Sequence, residues 1–264
     1  MSSASPPPPP PNCGVTRSIV DFKVIGKRTS TDKIYHHGYH RFYPLFLEQY
    51  RSLITDSLSG EGGALIEIGI EEKRSIGLWL DYFPRAFFYG IDITLPDECG
   101  DRFRIFRADQ SDRNALEMTV LPNITHPVFA IVDDGSHIPE HQIITFDLLF
   151  QKVLMGGGTY IIEDVEVSYW SKGHIYNYTT RYGYRHQKSI VEIFRNLVDD
   201  INSELLTEDA KRAQNEQFVD VSISAETRAM INTITFAQNC IIVTKKATID
   251  YEFGGRSYRF GENL

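Results

Sequence analysis

Two short strings carry most of the side chains able to do metal or acid–base chemistry. They are Ile131-Val132-Asp133-Asp134-Gly135-Ser136-His137 and Thr159-Tyr160-Ile161-Ile162-Glu163-Asp164. Each is an apolar run that stops abruptly at two acids. Carboxylate oxygens with no cysteine in reach suit Mg²⁺, with Ca²⁺ or Mn²⁺ as alternatives. Ends of neighbouring strands lie about 5 Å apart, so Asp133/Asp134 and Glu163/Asp164 can share one cation if their strands pair. An imidazole at such a place could take a proton near neutral pH, which makes His137 a candidate base. Taken alone, Asp133-Asp134-Gly135 reads as a turn whose aspartate caps the next helix, and a lone histidine as a turn residue. The second acid pair tips the reading toward a site.

Positioning these groups requires parallel strands that end at one edge. Ala64–Gly69, Phe87–Asp92, Phe103–Phe106 leading into Ala108-Asp109-Gln110, Val128–Val132 and Thr159–Glu163 read as buried strands. Helical patterns fall over 44–58, 75–83, 139–155 and 187–206, with Gly156-Gly157-Gly158 ending the third. This alternation is the pattern of βαβ units and a parallel sheet. Thr233–Phe236 and Cys240–Lys245, joined by Ala237-Gln238-Asn239, read as a closing hairpin. Residues 15–30 show no clear period. The aromatic stretch 165–186 is long for a structureless connection, as loops that carry function are.

The chain has 264 residues, a net charge of -8, 42% hydrophobic and 23% charged residues, as an ordinary globular protein does. The acidic balance disfavours a general nucleic-acid binder. Cys13, Cys99 and Cys240 form no C-x-x-C pattern, which disfavours a disulfide framework or zinc–thiolate site and makes a cytoplasmic, reducing location the expectation. No run is long enough to span a bilayer. Pro6–Pro11 make residues 1–14 an extended tail, 15–250 the domain and 251–264 an extension. No nucleotide glycine fingerprint, G-x-S-x-G elbow or P-loop is present. The loop after Gly69 is acidic or neutral, which suits a cofactor carrying an ammonium and a sulfonium better than a pyrophosphate. Asp92, at the end of the second strand, is placed to accept ribose hydroxyls.

Together these residues resemble the class I S-adenosylmethionine-dependent methyltransferases, and more narrowly the metal-dependent sugar O-methyltransferases of the macrocin, mycinamicin and rhamnosyl-tetracenomycin type. The marks are Thr31-Asp32-Lys33 with His37-Gly38-Tyr39 and Tyr43; Ile66-Glu67-Ile68-Gly69; Tyr89-Gly90-Ile91-Asp92; Asp109-Gln110; Asp133 to His137; and Ile162-Glu163-Asp164 leading to Ser168-Tyr169-Trp170. The resemblance implies an α/β, Rossmann-like, doubly wound seven-stranded sheet whose last strand is antiparallel. It implies S-adenosylmethionine held by Glu67, Gly69, Asp92, Asp109 and Gln110, with Asp133 at the cofactor side. It further implies Mg²⁺ (or Mn²⁺) on Asp134, Glu163 and Asp164, and His137 as base. His37, Tyr39, Tyr169 and Trp170 are then expected against a small-molecule or glycan acceptor. The expected reaction is methylation of a sugar hydroxyl, on rhamnose or another deoxysugar. A catechol methyltransferase and a catalytically silent binding protein of this fold are the rivals. A homo-oligomer is compatible with the same reading.

Overall fold

The computed structural model describes residues 14–55, 62–170 and 182–251. The proline run, Cys13, Tyr176, Tyr178 and the extension from residue 252 lie outside the described residues. Eight strands form one sheet: β1 (Ala64–Ile68), β2 (Phe87–Asp92), β3 (Glu98–Cys99), β4 (Phe103–Arg107), β5 (Val128–Asp133), β6 (Leu154–Glu163), β7 (Ile231–Ala237) and β8 (Cys240–Lys245). Their order is β3-β4-β2-β1-β5-β6-β8-β7. Neighbours from β4 to β6 run parallel, and β8 is antiparallel to both β6 and β7. Seven of these strands match the expectation. The eighth, β3, is a two-residue antiparallel edge strand, too short to leave a periodic signal.

Every residue of β1 and β5 is buried, as it must be in a parallel sheet covered on both faces. Alternate side chains of β1 enter opposite cores. Ile66 and Ile68 join Phe146, Leu149 and Phe194 on one face, while Leu65 joins Phe22, Tyr43 and Trp79 on the other. The second core is built by α1 (Gly14–Thr29), α2 (Asp32–Tyr35), α3 (Tyr43–Thr55) and α4 (Arg74–Tyr82). The stretch without a clear period is therefore a helix, tied to its neighbours by edge-on contacts of Phe22 with Tyr43, Trp79 and Tyr82.

Two boundaries differ from the sequence reading. The helix from Pro139 loosens into a π turn over Phe146–Phe150, and β6 begins at Leu154, before the glycines. Pairing runs from Val128↔Leu154 to Ala130↔Thr159, so the three glycines sit in a bulge within the strand rather than in a terminator, with Gly157 at φ +79°. The helix expected over 187–206 starts only after Ser189, whose hydroxyl caps Glu192 N, and is divided into Ile190–Asn196, Val198–Ile201 and Ser203–Leu205. No described helix is long and apolar enough to cross a membrane.

The strand order reverses between β1 and β5, with β2 and β4 on one side and β6 on the other. Ligand crevices form at the carboxyl ends of strands flanking such a reversal. Every acid singled out from the sequence lies on this edge.

Candidate active site

A cleft of about 590 Å³ opens at that edge. Gly69, Asp92, Asp109, Gln110, Asp134, His137 and Asp164 line it, with Lys33 and His37 on the wall supplied by the N-terminal helices. The crevice depends on Gly69, which has φ +79°. A Cβ there would lie 2.1 Å from the carbonyl oxygen of Asp134. The loop after β1 and the loop after β5 thus touch backbone to backbone, which only glycine permits.

At one end of the cleft, Asp134, His137 and Asp164 each bring a ligand atom within 4.8 Å of the others. His137 and Asp164 both adopt left-handed backbone, φ +56° and +53°. Such conformations cost about 1 kcal/mol or more in non-glycine residues and gather at functional sites. His137 Nε2 lies 3.8 Å from Asp164 Oδ2. Asp164 Oδ1 accepts hydrogen bonds from the Tyr39 hydroxyl at 2.7 Å and Asn239 Nδ2 at 2.9 Å. Even so, burial and the charge of Asp134 push the Asp164 carboxyl up to about 7. The donor set is oxygen-rich, lacks a thiolate and has too little positive charge for its carboxylates. Those properties fit a divalent cation of the Mg²⁺ or Mn²⁺ kind.

Glu163 reaches the cluster differently. Its carboxylate is buried and held by the Tyr43 hydroxyl and by Lys33 Nζ at 2.9 and 3.0 Å. The same ammonium donates to Asp134 Oδ2 at 2.6 Å and lies 3.2 Å from Glu67 Oε1, with its side chain 1% exposed. A lysine ammonium therefore stands between the first and second acid pairs, where sequence reasoning expects a shared cation. Burial works against the Lys33 charge, but Asp134, Glu163 and Glu67 outweigh it and hold its pKa well above the ordinary value. The carboxyls of Glu163 and Glu67 are raised instead, first by burial and then by their acidic neighbours.

Behind the acids, four rings stack in a column: His37 on Tyr39 (5.0 Å, 8°), Tyr39 on Tyr43 (5.1 Å, 6°) and Tyr43 on Trp79 (6.2 Å, 15°). Tyr39, expected against an acceptor, is fully buried and instead orients Asp164. His37 lines the cleft, with Nδ1 3.2 Å from Asp164 Oδ1. Burial brings its pKa down to about 4, so it is neutral at physiological pH.

At the other end of the cleft the acids are well satisfied. Asp92 Oδ2 accepts from the amides of Ile70 (2.9 Å) and Glu71 (3.1 Å), and its Oδ1 from Thr94 N, Thr94 Oγ1 and Leu95 N. Burial opposes the charge, yet these donors bring its pKa down to about 2. Asp109 Oδ1 accepts from Ser111 N and Oγ, which lowers its pKa. Gln110 bridges Asp133 and the amide of Ser136.

Asp133 and Glu67 do not line the cleft. Asp133, fully buried, ties Gln110, Thr145 and Tyr160 together beneath it. Glu67 faces Lys33 and accepts from Ser75 Oγ at 2.5 Å. Tyr169 lies elsewhere, half exposed, in a smaller depression of about 190 Å³ shared with Tyr184 and Arg195. Trp170 lines neither cavity. Sequence reasoning missed Asn239, which sits in the β7–β8 turn at φ +62°; an asparagine in a tight hairpin carries no sign that its amide reaches Asp164. Lys33 and Tyr43 had a motif but no assigned task.

No protein-family model matches the chain. Among curated proteins, it is 38% identical over 97 residues to the 8-demethyl-8-alpha-L-rhamnosyl tetracenomycin-C 2'-O-methyltransferase of Streptomyces olivaceus, covering 36% of this chain and 25% of that protein. It is 30% identical over 139 residues to the mycinamicin VI 2''-O-methyltransferase of Micromonospora griseorubida, covering 50% and 33%. It is 32% identical over 139 residues to the demethylmacrocin O-methyltransferase of Streptomyces fradiae, with the same shares. Among solved structures, the MycE methyltransferase of the mycinamycin biosynthetic pathway, in complex with Mg, SAH and mycinamycin VI, superposes with a TM-score of 0.67. Its sequence is 24% identical, and the match covers 86% of this chain and 53% of that one. The chain spans a quarter to a third of the length of these curated relatives and about half of the solved chain. It has the class I methyltransferase fold.

Proposed function

We propose that the chain is an S-adenosylmethionine-dependent O-methyltransferase that acts on a sugar hydroxyl with the help of a divalent cation. The observation that carries this reading is the convergence of Asp134, His137 and Asp164 at one end of the cleft. Two of those three residues hold left-handed backbone. The curated relatives, each named for methyl transfer to a sugar hydroxyl or a macrolide, supply the substrate class.

On this reading Gly69, Asp92, Asp109 and Gln110 hold S-adenosylmethionine, which supplies an electrophilic methyl group on a sulfonium. Asp134 and Asp164 hold Mg²⁺ or Mn²⁺, with Glu163 supporting them through Lys33. The ion supplies positive charge that acidifies and fixes a nearby hydroxyl. His137 Nε2 takes the acceptor's proton, and the carboxylate of Asp164, 3.8 Å away, stabilises the imidazolium formed. Tyr39 and Asn239 keep Asp164 turned toward that histidine. Tight packing of the β1 and β5 loops at Gly69 fixes the distance between the two ends of the cleft, and such positioning accounts for much of the acceleration in a displacement with a good leaving group.

Labelled S-adenosylmethionine offered with a panel of rhamnosides, other deoxysugar glycosides and catechols, with and without EDTA, tests the proposal. Transfer to a sugar hydroxyl that EDTA abolishes and Mg²⁺ or Mn²⁺ restores is the expected result. Transfer confined to catechols overturns the substrate class, and transfer indifferent to EDTA overturns the metal role.

A further inference from the structure

We propose that Lys33 is a positioning residue that acts as an internal cation, keeping Glu67, Asp134 and Glu163 assembled and weakening the pull of the cleft on a divalent ion. The second half of this statement rests on the metal reading above. The lysine sits on α2, only four residues long, yet its side chain is 1% exposed and its Nζ lies 2.6 to 3.2 Å from oxygens of three acids. Those acids come from the carboxyl ends of three adjacent strands, β1, β5 and β6. Without the ammonium, three carboxylates would face one another, and two of them, Glu67 and Glu163, are closed to water. Glu163 has the Tyr43 hydroxyl as a further donor and Glu67 has Ser75, but neither brings a charge. Breaking a buried ion pair by removing one partner is strongly destabilising, because the remaining charge is left uncompensated.

The same geometry sets the affinity for metal. Asp134 is shared: its Oδ2 accepts from Lys33 Nζ at 2.6 Å, and the same carboxylate offers an oxygen within 4.8 Å of ligand atoms of His137 and Asp164. A divalent ion beside Asp134 is therefore repelled by the ammonium that the same carboxylate already binds. Even in a highly screened medium, two positive charges on the ion and one on the lysine at such separations change affinity about tenfold.

The test is Lys33→Met in the full chain, followed by thermal unfolding in EDTA and by Mn²⁺ binding measured by electron paramagnetic resonance. The Tm in EDTA should fall by about 10 °C, Mn²⁺ should bind about tenfold more tightly than to wild type, and saturating Mn²⁺ should restore much of the lost Tm. An unchanged Tm in EDTA, or weaker Mn²⁺ binding, overturns the proposal. If Lys33→Met does not fold, the double variant Lys33→Met/Glu163→Gln decides: it should recover a folded protein, and no recovery overturns the internal-cation role. Should wild type bind no Mn²⁺, the metal reading falls together with the affinity claim. The assembling role then stands or falls on the EDTA unfolding of the single and double variants.

Discussion

The two ends of the cleft hold the same residue type under opposite conditions. At the β2 and β4 end, Asp92 and Asp109 lie among backbone amides and short hydroxyls, and their charges are stable without any visitor. At the β1, β5 and β6 end, Glu67, Asp134 and Glu163 crowd around one lysine with Asp164 beside Asp134, and the carboxyls of Glu67, Glu163 and Asp164 are held above the ordinary range. Loop amides satisfied by acids make a rigid cradle that is complete as it stands. Acids that outnumber their cations make a site whose chemistry is finished only by an arriving positive charge. The first arrangement holds a shape, and the second holds a demand.

Removing a member of the crowded end should have the largest effect. Asp134→Ala should lower turnover by about 10³-fold and abolish Mn²⁺ binding while the far end still binds S-adenosylmethionine; calorimetry with each ligand separates the two. Retained turnover would remove Asp134 from the metal site. Gly69→Ala, which forces a methyl group into the Asp134 carbonyl, should cost about 3 kcal/mol of stability and impair both ends together. Denaturant unfolding measures the loss, and an unchanged midpoint would mean that the loops are not locked.

His137→Ala should slow turnover by about 10²-fold with Mn²⁺ affinity intact. Lost Mn²⁺ binding would make it a ligand rather than a base. The smallest effects are on the pH dependence of stability, and there the two ends should pull in opposite directions. Asp92, lowered to about 2, contributes stability that is present above its unfolded value of 3.8 and lost as pH falls toward 2. Asp164, raised to about 7, contributes stability present below 3.8 and lost as pH rises through 7. Metal-free protein should therefore gain stability between pH 8 and 5, a slope that saturating Mn²⁺ removes. Asp92→Asn should flatten only the acid limb below pH 4. Unfolding midpoints measured across pH with EDTA and with Mn²⁺ check both slopes.

What could be read from the sequence follows from where each signal resides. Buried parallel strands announce themselves as continuous apolar runs, and an acid at the end of each run marks the sheet edge, so β1, β2, β4, β5 and β6 and their acids were visible. The acid pairs could be placed side by side because neighbouring strands bring their ends together. Lys33 could not be read as buried. Lysine in the polar stretch Ser30-Thr31-Asp32-Lys33 has the pattern of solvated surface, and only the three-strand carboxylate edge, assembled from residues up to 130 positions away, takes it out of water. Tyr39 and Asp133 were legible as members of the site region but not as supports, because depth below a cleft is a tertiary property. The glycines in β6 looked like a terminator because a wide bulge and a helix stop share the same residues.

The ring column has an optical consequence. Of the two tryptophans in the chain, Trp79 is buried at the inner end of a stack whose outer end, His37, forms part of the cleft wall. Its indole therefore reads the cleft from within the protein, shielded from solvent quenchers that can reach the partly exposed Trp170. With Trp170 replaced by phenylalanine, the remaining emission becomes an intrinsic, label-free gauge of occupancy. Seating an acceptor against His37 should change its intensity without an added fluorophore.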